Sequence, residues 1–189
     1  MPRSSVPKKP EAQKQPQRQV PWRGLAVVGF VLVGVGALVA FDPQPPGVTF
    51  PSLGNDHIAD PTAEHIPYNS SPPSSGPHVG VLANWGVHEE RLPAELFVHN
   101  LEDGGVVFTY DCPDGCDDLV TGLAEIVEAG PRRVLTPYEG IEHEGVQYRG
   151  AAAAWTKVYY FDEVTDDFRS DLEMFLSLYE GLDHHVTTN

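Results

Sequence analysis

The sequence predicts an α+β domain of two layers, with helices on one face of a mixed or antiparallel sheet, preceded by one transmembrane helix. Three observations lead there. An uncharged apolar run, residues 24–41, lies near the N-terminus, with a basic segment before it and an acidic chain after it. Downstream, short β-rich runs alternate with two stretches of helical periodicity. Their order is strand, strand, helix, strand, strand, helix, which suits helices packed against a sheet.

Residues 1–21 are rich in Pro, Lys and Gln and carry no apolar periodicity, as expected of a disordered tail. Residues 22–41 are the expected anchor. Eighteen residues without charge rise about 27 Å as a helix, close to the roughly 30 Å of bilayer hydrocarbon. Arg3, Lys8, Lys9, Lys14, Arg18 and Arg23 face a single Glu11 on the N-terminal side, and Trp22 stands at the interface position. From Asp42 onward six basic residues face twenty-six acidic ones. The positive-inside rule therefore places the N-terminus in the cytoplasm and the rest outside the cell membrane, as a single-pass protein. A cleaved secretory signal shares this topology. The length of the run, Leu38 upstream of Ala40 and the lack of a following lipidation cysteine favour a retained anchor. The acidic balance lacks the basic footprint that nucleic acid requires, and leaves cations and a membrane protein partner as candidates.

Residues 42–55 begin Asp-Pro-Gln-Pro-Pro-Gly and read as a stiff linker. Residues 56–182 form the expected extracytoplasmic domain, and residues 183–189 a tail. The domain opens with a histidine-rich stretch up to about Pro93, which six prolines mark as loop. A loop this long inside a domain is commonly functional. Leu96-Phe97-Val98-His99 and residues 106–110 read as strands of a hairpin turning through Gly104-Gly105. Leu119, Val120, Leu123, Ile126 and Val127 predict a helix over 117–129, stopped by Gly130-Pro131. A short strand over 132–136 follows, then one long strand over 151–161. Thr165 is the expected N-cap of a last helix, with Phe168, Leu172, Phe175, Leu176 and Tyr179 on one face until Gly181.

Five of the eight histidines, His57, His65, His78, His88 and His99, fall within the loop region and the run beside it. Imidazole and carboxylate together are ligands for zinc and copper, so His65, His78 and His99 with Glu102 or Asp103 are the candidate metal set. The expectation is that these residues, distant in sequence, converge in space. Solvated loop histidines are the plainer reading, since no pair has a compact ligand spacing. Two other functions stay open: a non-catalytic interaction module of a membrane assembly, and a metal-assisted hydrolase using Glu102 as base. The tract His99-Asn100-Leu101-Glu102-Asp103 nears the H-x-x-E-H zinc pattern, but has Asp at its last position and lacks the helix if it belongs to a hairpin. There is no Gly-x-Ser-x-Gly and no phosphate loop, so nucleophilic hydrolysis and nucleotide binding have no motif. Cys112 and Cys116 flank Pro-Asp-Gly; outside a membrane they are expected to form a disulfide, with copper ligation or thiol exchange as alternatives. Only Met1 and Met174 occur, so a methionine-rich copper(I) site is not available.

Four tracts together, His65-x-x-Tyr68, Pro72-Pro73-x-Ser75-Gly76-Pro77-His78, His99-Asn100-Leu101-Glu102-x-Gly104 and Ala154-Trp155, resemble the family called domain of unknown function 3105, over about residues 57–179. The resemblance implies a domain behind an N-terminal membrane segment and no established activity. It implies His where this chain has Asp103, and Gly where it has Thr156.

Overall fold

The computed structural model describes residues 44–185. Among the described residues no helix is long and apolar enough to cross a membrane, and the expected tail and anchor at 1–21 and 22–41 lie outside them.

The domain is α+β, with three helices and a mixed sheet. In chain order the elements are β1 (Val48–Thr49), β2 (His57–Ile58), β3 (His78–Val79), β4 (Gly86–Val87), α1 (Ala94–Glu102), β5 (Val106–Tyr110), α2 (Asp117–Glu128), β6 (Arg133–Pro137), β7 (Glu142–His143), β8 (Val146–Gln147), β9 (Gly150–Ala154), β10 (Lys157–Phe161) and α3 (Asp166–Tyr179). The main sheet runs β1-β10-β9-β5-β6-β4, while β2 pairs with β3 and β7 with β8. β5 and β6 are parallel, joined through α2 as a parallel crossover requires, and β9 is antiparallel to both β5 and β10. β1 gives residues 48–49 of the Pro-rich segment a place at the sheet edge, with Val48 opposite Val158.

Side-chain alternation along β5 explains the layering. Val106 and Phe108 point to one core with Leu123 and Val127 of α2 and Leu172 and Phe175 of α3. Val107 points to a second core with Phe97, Val98 and Leu101 of α1. Helices therefore cover both faces of the sheet instead of the single face expected from the element order. The central β9 is buried along its whole length because it serves both cores, Ala152 and Ala154 on one side, Ala151 and Ala153 on the other.

Two elements depart from the sequence reading. Residues 96–99, expected as a strand, lie inside α1. Their β-prone composition is overridden by packing: Phe97, Val98 and Leu101 form one helical stripe, Pro93 and Glu95 suit the first turn, and Gly104 at φ 77° ends the helix. The expected strand over 151–161 is two strands, folded back at Trp155-Thr156. The period-2 pattern is continuous across that turn, so alternation alone could not show it. Thr156 stands there at φ 63°, in the left-handed region that penalises a β-branched residue. Thr156→Gly is accordingly expected to stabilise the domain by about 1 kcal/mol, read from denaturant midpoints. An unchanged or lowered midpoint would show that the threonine is not strained.

Three local expectations hold. α2 begins and ends within a residue of the predicted span. Thr165 caps α3, its hydroxyl accepting from the Phe168 N–H at 3.1 Å. Cys112 and Cys116 are bridged, so neither offers a thiolate.

The histidine-rich loop has only two-residue strands, yet residues 72–79 are buried. Its polar groups are met one by one. The Ser75 hydroxyl accepts from Leu53 N–H at 3.1 Å, the Tyr68 hydroxyl donates to the Pro77 carbonyl at 2.7 Å, and Thr156 N–H donates to the Ser74 carbonyl at 2.8 Å. These bonds let an irregular segment sit against the sheet without orphaned groups, and they deliver His78 to a dry position.

Candidate metal centre

Four side chains from three elements meet beside α1: His57 on β2, His78 on β3, and His99 and Glu102 on α1 itself. One ligand atom from each lies within 4.8 Å of all the others. The positions follow from simple geometry. β2 and β3 are parallel with His57 directly opposite His78, so the two rings share one side of the ladder. His99 and Glu102 are three residues apart on a helix, hence on one face, and α1 packs against β3. Ring centroids stand 5.0 Å apart for His57–His78 and His78–His99, and 5.4 Å for His57–His99.

The hydrogen bonds behind these rings set which nitrogen faces the centre. His78 Nδ1–H donates to the Gly76 carbonyl at 2.9 Å, and His99 Nδ1–H donates to the Val79 carbonyl at 3.0 Å. A carbonyl can only accept, so each Nδ1 carries a proton; in the neutral imidazole this leaves the Nε2 lone pair toward the centre, the arrangement seen behind metal-bound imidazoles, while without an ion the contact of His78 Nε2 with Glu102 needs a proton of its own. His78 Nε2 lies 3.0 Å from Glu102 Oε2, and His57 Nε2 lies 3.9 Å from the same oxygen. The other carboxylate oxygen, Oε1, accepts from the Asn55 amide at 2.5 Å. With Oε1 taken by Asn55, Oε2 is the Glu102 oxygen turned to the imidazoles.

Burial sharpens the electrostatics. His78 is fully buried, Glu102 is 1% exposed and His99 8%, whereas the His57 side chain is 51% exposed and forms the solvent side. Burial, reinforced by His78, lowers the His99 pKa from its ordinary value; Asp103, the Val79 hydrogen bond and Glu102 pull the other way. The balance favours the neutral form of His99, the form in which imidazole binds metals.

Of the residues singled out in the sequence, His78, His99 and Glu102 are brought together. Asp103 stands at the rim, 27% exposed, its carboxylate 3.5 Å from His185 Nδ1; with His99 and His185 it makes a second, overlapping group. His65 is elsewhere. Its Nδ1–H donates to the Ile66 carbonyl at 2.7 Å and its Nε2 meets Glu95 Oε1 at 3.3 Å, which ties the loop to the start of α1. His88 is occupied with the Asn84 carbonyl. Sequence reasoning missed His57 and His185, the first because nothing in its spacing points across twenty residues to His78. His99 and Glu102 were both singled out, and the His-x-x-Glu spacing would also have put them on one face had the segment been read as helix.

Residues 60–186 match the model of a family described as a protein of unknown function, DUF3105. The chain belongs to this family. No curated protein and no solved structure matches it. Within the DUF3105 span lie His78, His99, Glu102, Asp103 and His185, while His57 precedes it. The geometry gives the DUF3105 tract His99-Asn100-Leu101-Glu102 a residue-by-residue account. His99 and Glu102 face the centre, Leu101 enters the core, and Asn100 clamps the Ala83 backbone through both ends of its amide, at 2.9 and 3.0 Å. A separate cleft of about 720 Å³, lined by Asp114, Asp117, Asp118, Asp162, Glu163 and Arg149, shares no residue with this cluster. Its acids are a solvated surface, and the convergent chemistry is at the histidines.

Proposed function

We propose that this DUF3105 domain binds a divalent transition-metal ion, zinc or copper(II), through His57, His78, His99 and Glu102, on the outer side of the cell membrane. The observation that supports the reading most is the pair of buried imidazoles whose Nδ1 protons are committed to backbone carbonyls, so that their Nε2 lone pairs face inward beside a buried carboxylate. Lone pairs and an anion at these distances repel unless positive charge lies among them. A proton serves one imidazole; a cation at the centre serves all four groups together. Separations of 3.0 and 3.9 Å between ligand atoms suit a central ion with bonds near 2 Å. The donors are imidazole and carboxylate, with both thiols committed to the disulfide, which favours zinc or copper(II) over copper(I). The disulfide itself fits an oxidising compartment, in keeping with an ectodomain held by residues 22–41. An interaction module is the second reading, favoured by the exposed Val81, Leu82 and Trp85 of the segment before β4 and Val87 on β4 itself.

The full chain, purified without chelator and dialysed against zinc or copper(II), is expected to hold one ion per protein. A protein that stays metal-free at micromolar zinc and copper would leave the centre as a hydrogen-bonded network and shift the assignment to the interaction module.

A further inference from the structure

Residues 180–185, which follow α3, do not trail away from the domain. Arg133 grips Glu180 with two parallel bonds, Nε to Oε1 at 2.7 Å and Nη2 to Oε2 at 2.8 Å, fixing the point where the helix ends. Gly181 N–H then donates to the Gly104 carbonyl at 2.7 Å, and His184 N–H donates to the carbonyl of Glu102 at 2.8 Å. Gly104 is the seat for this crossing. A Cβ there would stand 2.7 Å from both the backbone N and O of Leu182, so only glycine lets the two chains touch. The His184 ring stacks on Trp155 with centroids 5.8 Å apart and planes 20° from parallel.

These anchors bring the next residue over the solvent side of the histidine cluster. Asp183 Oδ1 accepts from both the backbone N–H and the Nδ1–H of His185, at 2.9 and 2.7 Å, which fixes the tautomer and leaves Nε2 as the free donor. His185 Nε2 lies 3.6 Å from Glu102 Oε2, and its ring centroid is 6.0 Å from that of His99. An acceptor behind Nδ1 with Nε2 turned toward Glu102 Oε2 is the arrangement seen at His78, here with the Asp183 carboxylate in place of a backbone carbonyl.

We infer that residues 181–185 form a built-in strap that supplies His185 as a further imidazole ligand at the edge of the metal centre, on the side of His99 and Glu102. The inference rests on the metal reading above and extends it to an element that the four-residue cluster does not include. The ion then lies between three donors buried under the sheet and loop, and two exposed imidazoles, one of them on a segment attached by few bonds. Opening the strap frees one coordination position without dismantling the site, which is the behaviour required for loading and release of the ion, or for admission of a small ligand to it.

The test uses the full chain loaded with copper(II), with coordinated imidazoles counted by electron spin-echo modulation and affinity measured by chelator competition. His185→Ala is expected to remove one imidazole from the count and to weaken copper(II) roughly 10- to 100-fold. The side chain is 44% exposed, so the substitution spares the core. Copper bound with the same imidazole count and affinity in both proteins would overturn the strap while leaving the metal reading intact. Failure of the unaltered protein to bind copper(II) or zinc would overturn both.

Discussion

His78→Ala is expected to abolish stoichiometric metal binding while His65→Ala leaves it unchanged. Both histidines belong to the same loop, both donate Nδ1–H to a backbone carbonyl, and both place Nε2 near a glutamate. Only location separates them. His78 is fully buried at 5.0 Å from the rings of both His57 and His99, whereas His65 has Glu95 as its partner near the other end of α1. Removing the buried ligand from the middle of the set leaves Glu102, His57 and His99, with His185 at the edge, without the geometry to surround one ion, and the affinity is expected to fall about 100-fold or more. Thermal unfolding reads this directly. At a free zinc concentration about a hundred times Kd, binding stabilises the folded state by about 2.7 kcal/mol, which raises Tm by about 10 °C in a domain of this size. The shift should survive in His65→Ala and vanish in His78→Ala. A shift of equal size in His78→Ala would place the ion elsewhere, and loss of the shift in His65→Ala would restore His65 to the ligand set.

Much of the fold was legible because it rests on local patterns. The periodicity of Leu119, Leu123 and Ile126, the Thr165 cap and the two cysteines around Pro-Asp-Gly each carry their outcome within a few residues. What was not legible depends on distant partners. Leu96-Phe97-Val98-His99 is β-prone by composition and becomes helical through the core that Phe97, Val98 and Leu101 share with Val107, Val134 and Ala151. That one misreading also hid why His99 and Glu102 belong together, because a strand would put them on opposite faces while a helix puts them on the same one. The metal set was half visible for a related reason. Residue types and the histidine density pointed to His78, His99 and Glu102, but His57 enters through a two-residue parallel pairing and His185 through backbone bonds to Gly104 and Glu102. Neither pairing has a spacing that a single sequence displays. The helices on both faces of the sheet follow from the same limit, since the element order does not say on which side α1 packs.

Asn100→Leu is expected to cost the domain roughly 2–5 kcal/mol, the largest stability loss foreseen for a single polar residue here. Asn100 is fully buried, and its side chain is bound by Ala83 N–H at 2.9 Å and binds the Ala83 carbonyl at 3.0 Å. Leucine keeps the same heavy-atom branching with a larger volume, so the change removes the hydrogen bonds without opening a cavity. Ala83 is itself 3% exposed, which means its two backbone groups lose their partners without gaining water, at about 1–3 kcal/mol each. The clamp also holds the stretch from Val79 to Ala83 against α1, and the Val79 carbonyl is the group that takes the His99 Nδ1 proton. Loosening it frees His99 to turn, so zinc affinity should fall along with stability, by about tenfold as for other groups that orient a ligand. Urea denaturation of the metal-free protein should show a lower midpoint with an unchanged slope, since the same surface is exposed on unfolding. A midpoint unmoved by the substitution would mean that the loop is held by its other bonds, among them those of Ser75 and Tyr68, and that Asn100 orients nothing. A lowered midpoint with unaltered zinc affinity would separate the two roles and confine Asn100 to the fold.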